Sequence, residues 1–152
     1  MRHKYDNACN NNVCEKLKPL SLTKLLPRHK MPQFEDIHEM KVFQKKLGLL
    51  GKSMLVPLDK LRLTQREIRL SRCKAIARTW TKKMKPLLVS QEKDNTYAVI
   101  DGHHRFMAAL LLKKTKKIKP NKKIHVFCIK APASMLLDKA NELGYNKTPQ
   151  SF

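Results

Sequence analysis

Asp101, Gly102, His103, His104 and Arg105 follow one another between two apolar runs. Two imidazoles and a guanidinium in one turn supply donors suited to phosphate oxygens. Gly102 takes a positive φ without steric cost and lets a ligand approach the backbone. Asp101 can accept a proton from an attacking hydroxyl or water, or help hold a Mg²⁺ ion through phosphates. His103 and His104 are candidate proton-transfer groups as well as phosphate donors. A plainer reading makes Asp101 a helix N-cap and Gly102 a turn residue. It leaves the two histidines and the arginine without a common reason.

Such a turn needs a strand before it and a helix after it. Tyr97, Ala98, Val99 and Ile100 form a short β-type run. Phe106, Ala109 and Leu110, with Met107 and Leu111 beside them, recur at helical spacing. The polar turn therefore lies at a helix N-terminus, where free N–H groups and the positive dipole end favour an anion. Leu87, Leu88 and Val89 predict a strand over 86–90, and Asp94 with Asn95 predicts the turn of an antiparallel hairpin.

The remaining elements frame this hairpin. Phe34, Ile37, Met40, Phe43, Leu47 and Leu50 predict a helix over 32–50, with Pro32 in its first turn and Gly51 as its stop. Residues 54–58 predict an edge or terminal strand, because Pro57 interrupts the run. Residues 59–70 read as a polar loop that carries Gln65 and Glu67. A helix is expected over 71–84 with Trp80 as a core anchor, and the helix after the turn is expected to end near Leu112. Residues 124–129 predict a buried strand, and Ser134 an N-cap for a last helix that Gly144 stops. The division expected is a disordered lead over 1–18, an arm and helix over 19–53, a core over 54–130, a C-terminal helix over 131–145 and a loose tail over 146–152.

Charge narrows the partners. The chain of 152 residues carries 33 Lys and Arg against 12 Asp and Glu, a formal net charge of +21. A field of that sign and size points to an anionic partner, most simply nucleic acid. Lys113, Lys114, Lys116, Lys117, Lys119, Lys122 and Lys123 crowd one segment, either a solvated linker or a clamp on a phosphate backbone. No apolar stretch reaches membrane-spanning length, so no membrane partner is expected. Cys73 and Cys128 lie in apolar patterns, whereas Cys9 and Cys14 near His3 lack the second ligand pair of a zinc site. An intracellular, cytoplasmic or similar reducing location is expected.

The order strand, polar loop with Gln65, helix, Pro86-Leu87-Leu88-Val89, hairpin, Val99-Ile100-Asp101-Gly102-His103-His104-Arg105, helix, strand resembles the ParB/sulfiredoxin superfamily. The resemblance covers roughly residues 55–129. It implies an α+β fold, a small mixed sheet packed with helices, here with an N-terminal helical extension. The Asp-Gly-His-His-Arg form looks like the ParB-like nuclease-type and free serine kinase branches. In this superfamily the turn holds nucleotide phosphates, which implies that role for Gly102, His103, His104 and Arg105, with Gln65 beside them. Sulfiredoxins carry cysteine in this turn, and residue 103 is histidine, which argues against sulfinic acid reduction. The kinase branch has a catalytic glutamate where Gln65 stands; a neutral amide is no base, so Glu67 becomes the second carboxylate candidate.

Three functions follow. The first is a nucleotide- and nucleic-acid-binding protein, with phosphodiester or nucleoside triphosphate hydrolysis at the turn. The second is a small-molecule kinase like the free serine kinases. The third is a non-catalytic DNA-binding adaptor. The cofactor expected is a nucleotide, ATP, ADP or CTP, with Mg²⁺ brought by its phosphates.

Overall fold

A computed structural model describes residues 30–65, 68–80, 84–92, 94–119 and 121–145. The leading arm, Cys9, Cys14, Glu67 and the tail lie outside these residues. The elements in chain order are α1 (Ile37–Leu47), β1 (Gly51–Pro57), β2 (Leu61–Arg62), α2 (Leu70–Arg78), β3 (Leu87–Gln91), β4 (Tyr97–Asp101), α3 (His103–Lys114), β5 (Lys123–Ile129) and α4 (Ala133–Glu142). The fold is α+β, with one mixed five-stranded sheet in the order β1-β5-β3-β4-β2.

Strand β1 runs antiparallel to β5 from Gly51↔Ile129 to Pro57↔Lys123. It is the edge strand that Pro57 predicts, since a residue without N–H suits an edge. β5 pairs parallel with β3, and β3 and β4 form the expected antiparallel hairpin. Asn95 has φ 62, the left-handed turn conformation that asparagine tolerates. β2 pairs parallel with β4 over two residues.

Alternation along the strands feeds two separate cores. Val89, Val99, Val126 and Cys128 join Cys73 of α2 and Phe106, Met107 and Ala109 of α3. Leu88, Ala98, Ile100, Phe127 and Ile129 join Met40 and Phe43 of α1 and Leu136, Leu137 and Ala140 of α4. The sheet is thus covered by two helices on each face. α1, expected as an extension, supplies half of one cover.

Several boundaries differ from expectation, each for a local reason. α1 starts at Ile37, not in the turn of Pro32: Asp36 is the N-cap and accepts from Glu39 N at 2.9 Å. It stops at Gly48 (φ 66), whose N–H bonds back to Gln44 and Lys45, three residues before Gly51. α2 ends at Arg78, with Thr79 as C-cap, so Trp80 lies beyond the helix and is only partly buried against the core. α3 runs two residues past Leu112. Ser134 does not cap α4. The N-cap is Pro132, and the carboxylate of Glu92 accepts the Ala133 N–H at 3.2 Å. Of the residues that helical spacing predicts for the inner side of α4, Met135 packs partly buried against the core, whereas Leu143 is exposed.

Candidate functional site

Strand β4 ends at Asp101 and α3 begins at His103, with Gly102 between them at φ 108. Asp101 is therefore the last strand residue and not the N-cap. Gly102 holds the N-cap position, where it has no side chain to offer the first turn of α3. The positive end of the helix dipole lies at this turn.

At the turn is a cavity of about 310 Å³, lined by Gln65, Asp101, Gly102, His103, His104 and Arg105. The structure thus gathers six residues that sequence reading assigned to the site. It adds Arg72, Lys85 and the Pro32-Gln33-Phe34 segment as walls. None of the lysines of the 113–123 run lines this cavity. These lysines occupy the end of α3, the connector and the start of β5, and all but Lys113 are exposed.

Arg105 folds back over Gly102. Its Nη1 donates to Lys85 O at 2.5 Å and to Pro86 O at 3.0 Å. A Cβ on residue 102 would lie 2.7 Å from Arg105 Nη2 and 2.5 Å from Leu87 Cδ2. Glycine is thus required twice, by its φ and by the guanidinium above it. Burial pulls Arg105 below its ordinary pKa, with Asp101 opposing and Arg72 adding to the shift.

The histidines have a different geometry from the donors expected. His103 is buried, and its Nε2 accepts from Thr64 N at 3.1 Å. The Thr64 hydroxyl also lies 3.1 Å from that nitrogen, while it donates to Val99 O. His104 is buried too, and its Nε2 accepts from Arg69 N at 3.1 Å. A nitrogen that accepts a backbone N–H carries no proton of its own, which puts the ring proton of a neutral imidazole on Nδ1. Through Nε2 the two rings fasten the loop before α2 to the first turn of α3.

The wall made by residues 32–34 is pinned by charge. Asp101 Oδ2 accepts from Phe34 N at 3.0 Å, and Lys85 Nζ donates to Phe34 O at 2.6 Å. Phe34 stacks on Tyr145 and packs on Phe43, which ties this segment to α1 and the end of α4. Burial holds Lys85 below the usual lysine pKa; Asp101 counters the shift and Arg105 adds to it. Among the described residues, the cavity wall therefore carries three cations, Arg72, Lys85 and Arg105, against the single carboxylate of Asp101.

Sequence reading missed Lys85, Arg72 and Phe34. Lys85 precedes the Pro86-Leu87-Leu88-Val89 strand, and a lysine at a strand entrance was the available signal. Among the described lining residues a metal would find one carboxylate, Asp101. Among the described residues no cluster of three His, Cys, Asp or Glu side chains is placed to hold an ion. Mg²⁺ at this site would take its remaining ligands from phosphate oxygens and water.

No family model matches the chain, and no curated protein matches it. Several solved structures are similar, two of which illustrate the likeness. One is the C-terminally truncated chromosome-partitioning protein ParB from Caulobacter crescentus, complexed with CTP-gamma-S, at 15% identity and TM-score 0.47, covering 64% of this chain and 54% of that one. The other is sulfiredoxin from Arabidopsis thaliana, at 20% identity and TM-score 0.43, covering 58% of this chain and 96% of that one. The likeness is one of fold. The chain spans about half the length of the ParB structure. Among the described residues, no helix is long and apolar enough to cross a membrane.

Proposed function

We propose that this chain binds a nucleotide, with its phosphates at the Gly102 turn, and engages nucleic acid through its basic surface. One observation carries the reading: a helix N-terminus whose cap residue is glycine opens into a cavity walled, among the described residues, by three cations and one carboxylate. Cations lowered in pKa by burial gain most from an anion, because its charge replaces lost water. Arg105 and Lys85 are both in that state. Gly102 makes room for the Arg105 guanidinium at the cavity wall, and Gln65 adds a neutral amide.

The same parts suit phosphoryl transfer or phosphodiester hydrolysis, where positioning and charge neutralisation do most of the catalysis. Asp101 is the proton acceptor in that scheme, with His103, His104 and Glu67 as further candidates. Yet Asp101 Oδ2 already accepts from Phe34 N, which favours binding without turnover as the resting activity. The adaptor reading is therefore preferred over the kinase and nuclease readings.

The test is a thermal-shift panel of ATP, ADP and CTP, with and without Mg²⁺, on wild type and Arg105→Ala. A ligand that binds only the folded state raises the melting temperature. A nucleotide-dependent shift that Arg105→Ala abolishes supports the reading. No shift with any nucleotide rejects it. Product formation from ATP or plasmid DNA, lost in Asp101→Asn, would restore the catalytic readings.

A further inference from the structure

A second cavity, of about 160 Å³, adjoins the first and shares Met84, Lys85 and Arg105 with it. Its chemistry is different. Trp80, Leu55, Leu87 and Ile124 give it an apolar, partly aromatic lining, and Lys122, Lys123 and His125 stand at its other side. Among the described residues, four lysine and arginine side chains line it and no carboxylate does.

Trp80 is the only tryptophan of the chain. Part of its surface packs against the core. Here the chain has left α2 at Arg78, and Trp80 stays partly exposed on the cavity wall. Leu55, on the edge strand β1, is 61% exposed beside it. An apolar ring surface bordered by cations and joined to a phosphate-type cavity matches one ligand chemistry, a planar base attached to a phosphate.

We infer that the Trp80 cavity is a nucleobase subsite, which takes the ring of a ligand whose phosphate lies at the Gly102 turn. Arg105 and Lys85 form the partition between the two and face both. Where the base belongs to a strand, Lys122 and Lys123 are placed to contact its next phosphate, which gives two members of the lysine run a specific task. This rests on the phosphate reading above and extends it to the base. The base comes either from a free nucleotide or from a single strand of nucleic acid.

Because Trp80 is the sole tryptophan, its fluorescence reports this subsite without any substitution. Wild-type protein is titrated with tripolyphosphate, with ATP and CTP, and with a short single-stranded oligonucleotide, while binding is followed separately by thermal shift. Quenching by the nucleotides and not by tripolyphosphate supports the subsite with a free nucleotide as its source. Quenching by the oligonucleotide alone supports it with a strand as the source. Trp80→Leu should then lose about tenfold in affinity for the base-bearing ligand. It should lose nothing for tripolyphosphate, and Trp80→Phe should recover part of the loss. A nucleotide that raises the melting temperature yet leaves the fluorescence and the Trp80→Leu affinity unchanged overturns the subsite and spares the phosphate reading. Absence of binding by every ligand, tripolyphosphate included, overturns both.

Discussion

The guanidinium of Arg105 occupies the space that a side chain on residue 102 would need, with Nη2 only 2.7 Å from an ideal Cβ there. The two residues act as one unit, since Arg105 can reach Lys85 O and Pro86 O only across a glycine. Gly102→Ala is expected to lower stability by about 2 kcal/mol or more, from the left-handed φ and the displaced guanidinium together. Adding Arg105→Ala removes one of the two obstacles, so the double variant should cost less than the sum of the singles. Leu87 Cδ2, at 2.5 Å, remains and keeps the double variant below wild type. Denaturant unfolding of all four proteins measures the coupling, and strict additivity would refute it.

His103 and Arg72 both line the cavity but differ in their work. Thr64 is fully buried, so removing His103 leaves its N–H without an acceptor. His103→Ala should therefore cost about 1–3 kcal/mol of stability, besides any effect on ligand. Arg72 is exposed on α2, and Arg72→Ala should stay within about 0.5 kcal/mol of wild type. It should still weaken nucleotide binding. Unfolding curves paired with nucleotide titrations separate the two roles; equal stability losses would contradict the assignment.

The local part of this site is legible in the sequence. Ile100, Gly102 and Phe106 mark the strand, turn and helix by residue type alone, and the structure sets them in that order. The hairpin of β3 and β4 follows in the same way from Asp94 and Asn95. What is not legible is long-range. Nothing near Phe34 announces that its N–H meets Asp101, because that bond spans 67 residues. The cap of α4 by Glu92 spans 41 residues and displaces Ser134, whose local pattern is a good one. The expected start of α1 lies too early for a related reason. Its apolar spacing runs back to Phe34, but Phe34 is apolar because it packs on Tyr145 and Phe43.

Cys128 gives a test of the sheet's burial. Desolvation pushes its thiol up to about 11, with Lys52 opposing only weakly. The thiolate is the reactive form, so Cys128 should be inert to thiol reagents in the native protein at pH 8. Native wild type and native Cys128→Ser should release the same amount of chromophore. In denaturant, wild type should show one more reactive thiol than the variant. Fast native labelling at Cys128 would show β5 to be open at that position.

Lys85 makes ligand binding depend on pH. Its folded pKa lies below the ordinary 10.5, so the folded state holds this proton less firmly than the unfolded state. The sign is opposite to that of a paired lysine. Stability due to Lys85 alone rises with pH between the lowered value and 10.5, as its buried charge is relieved. Phosphate binding runs the other way, because an anion needs the charged ammonium. Affinity for a nucleoside triphosphate should therefore fall as pH is raised through the lowered pKa of Lys85. Lys85→Gln should bind more weakly at neutral pH and lack that fall. A profile identical in wild type and variant would remove Lys85 from the binding site.

The lysine run calls for a salt-dependence measurement. Lys114, Lys116, Lys117, Lys119, Lys122 and Lys123 are exposed, and Lys116 has φ 61, where the chain turns sharply after α3. Exposed lysines that neutralise phosphates release counterions, which makes log affinity fall with log salt in proportion to the contacts made. Successive Lys-to-Gln changes over 113–123 should flatten that slope by about one per contacting lysine for double-stranded DNA. Lys122 and Lys123, which also line the Trp80 cavity, should act on single-stranded ligands too. An affinity that drops with an unchanged slope would assign the run to folding, and an unchanged affinity would assign it to solvent.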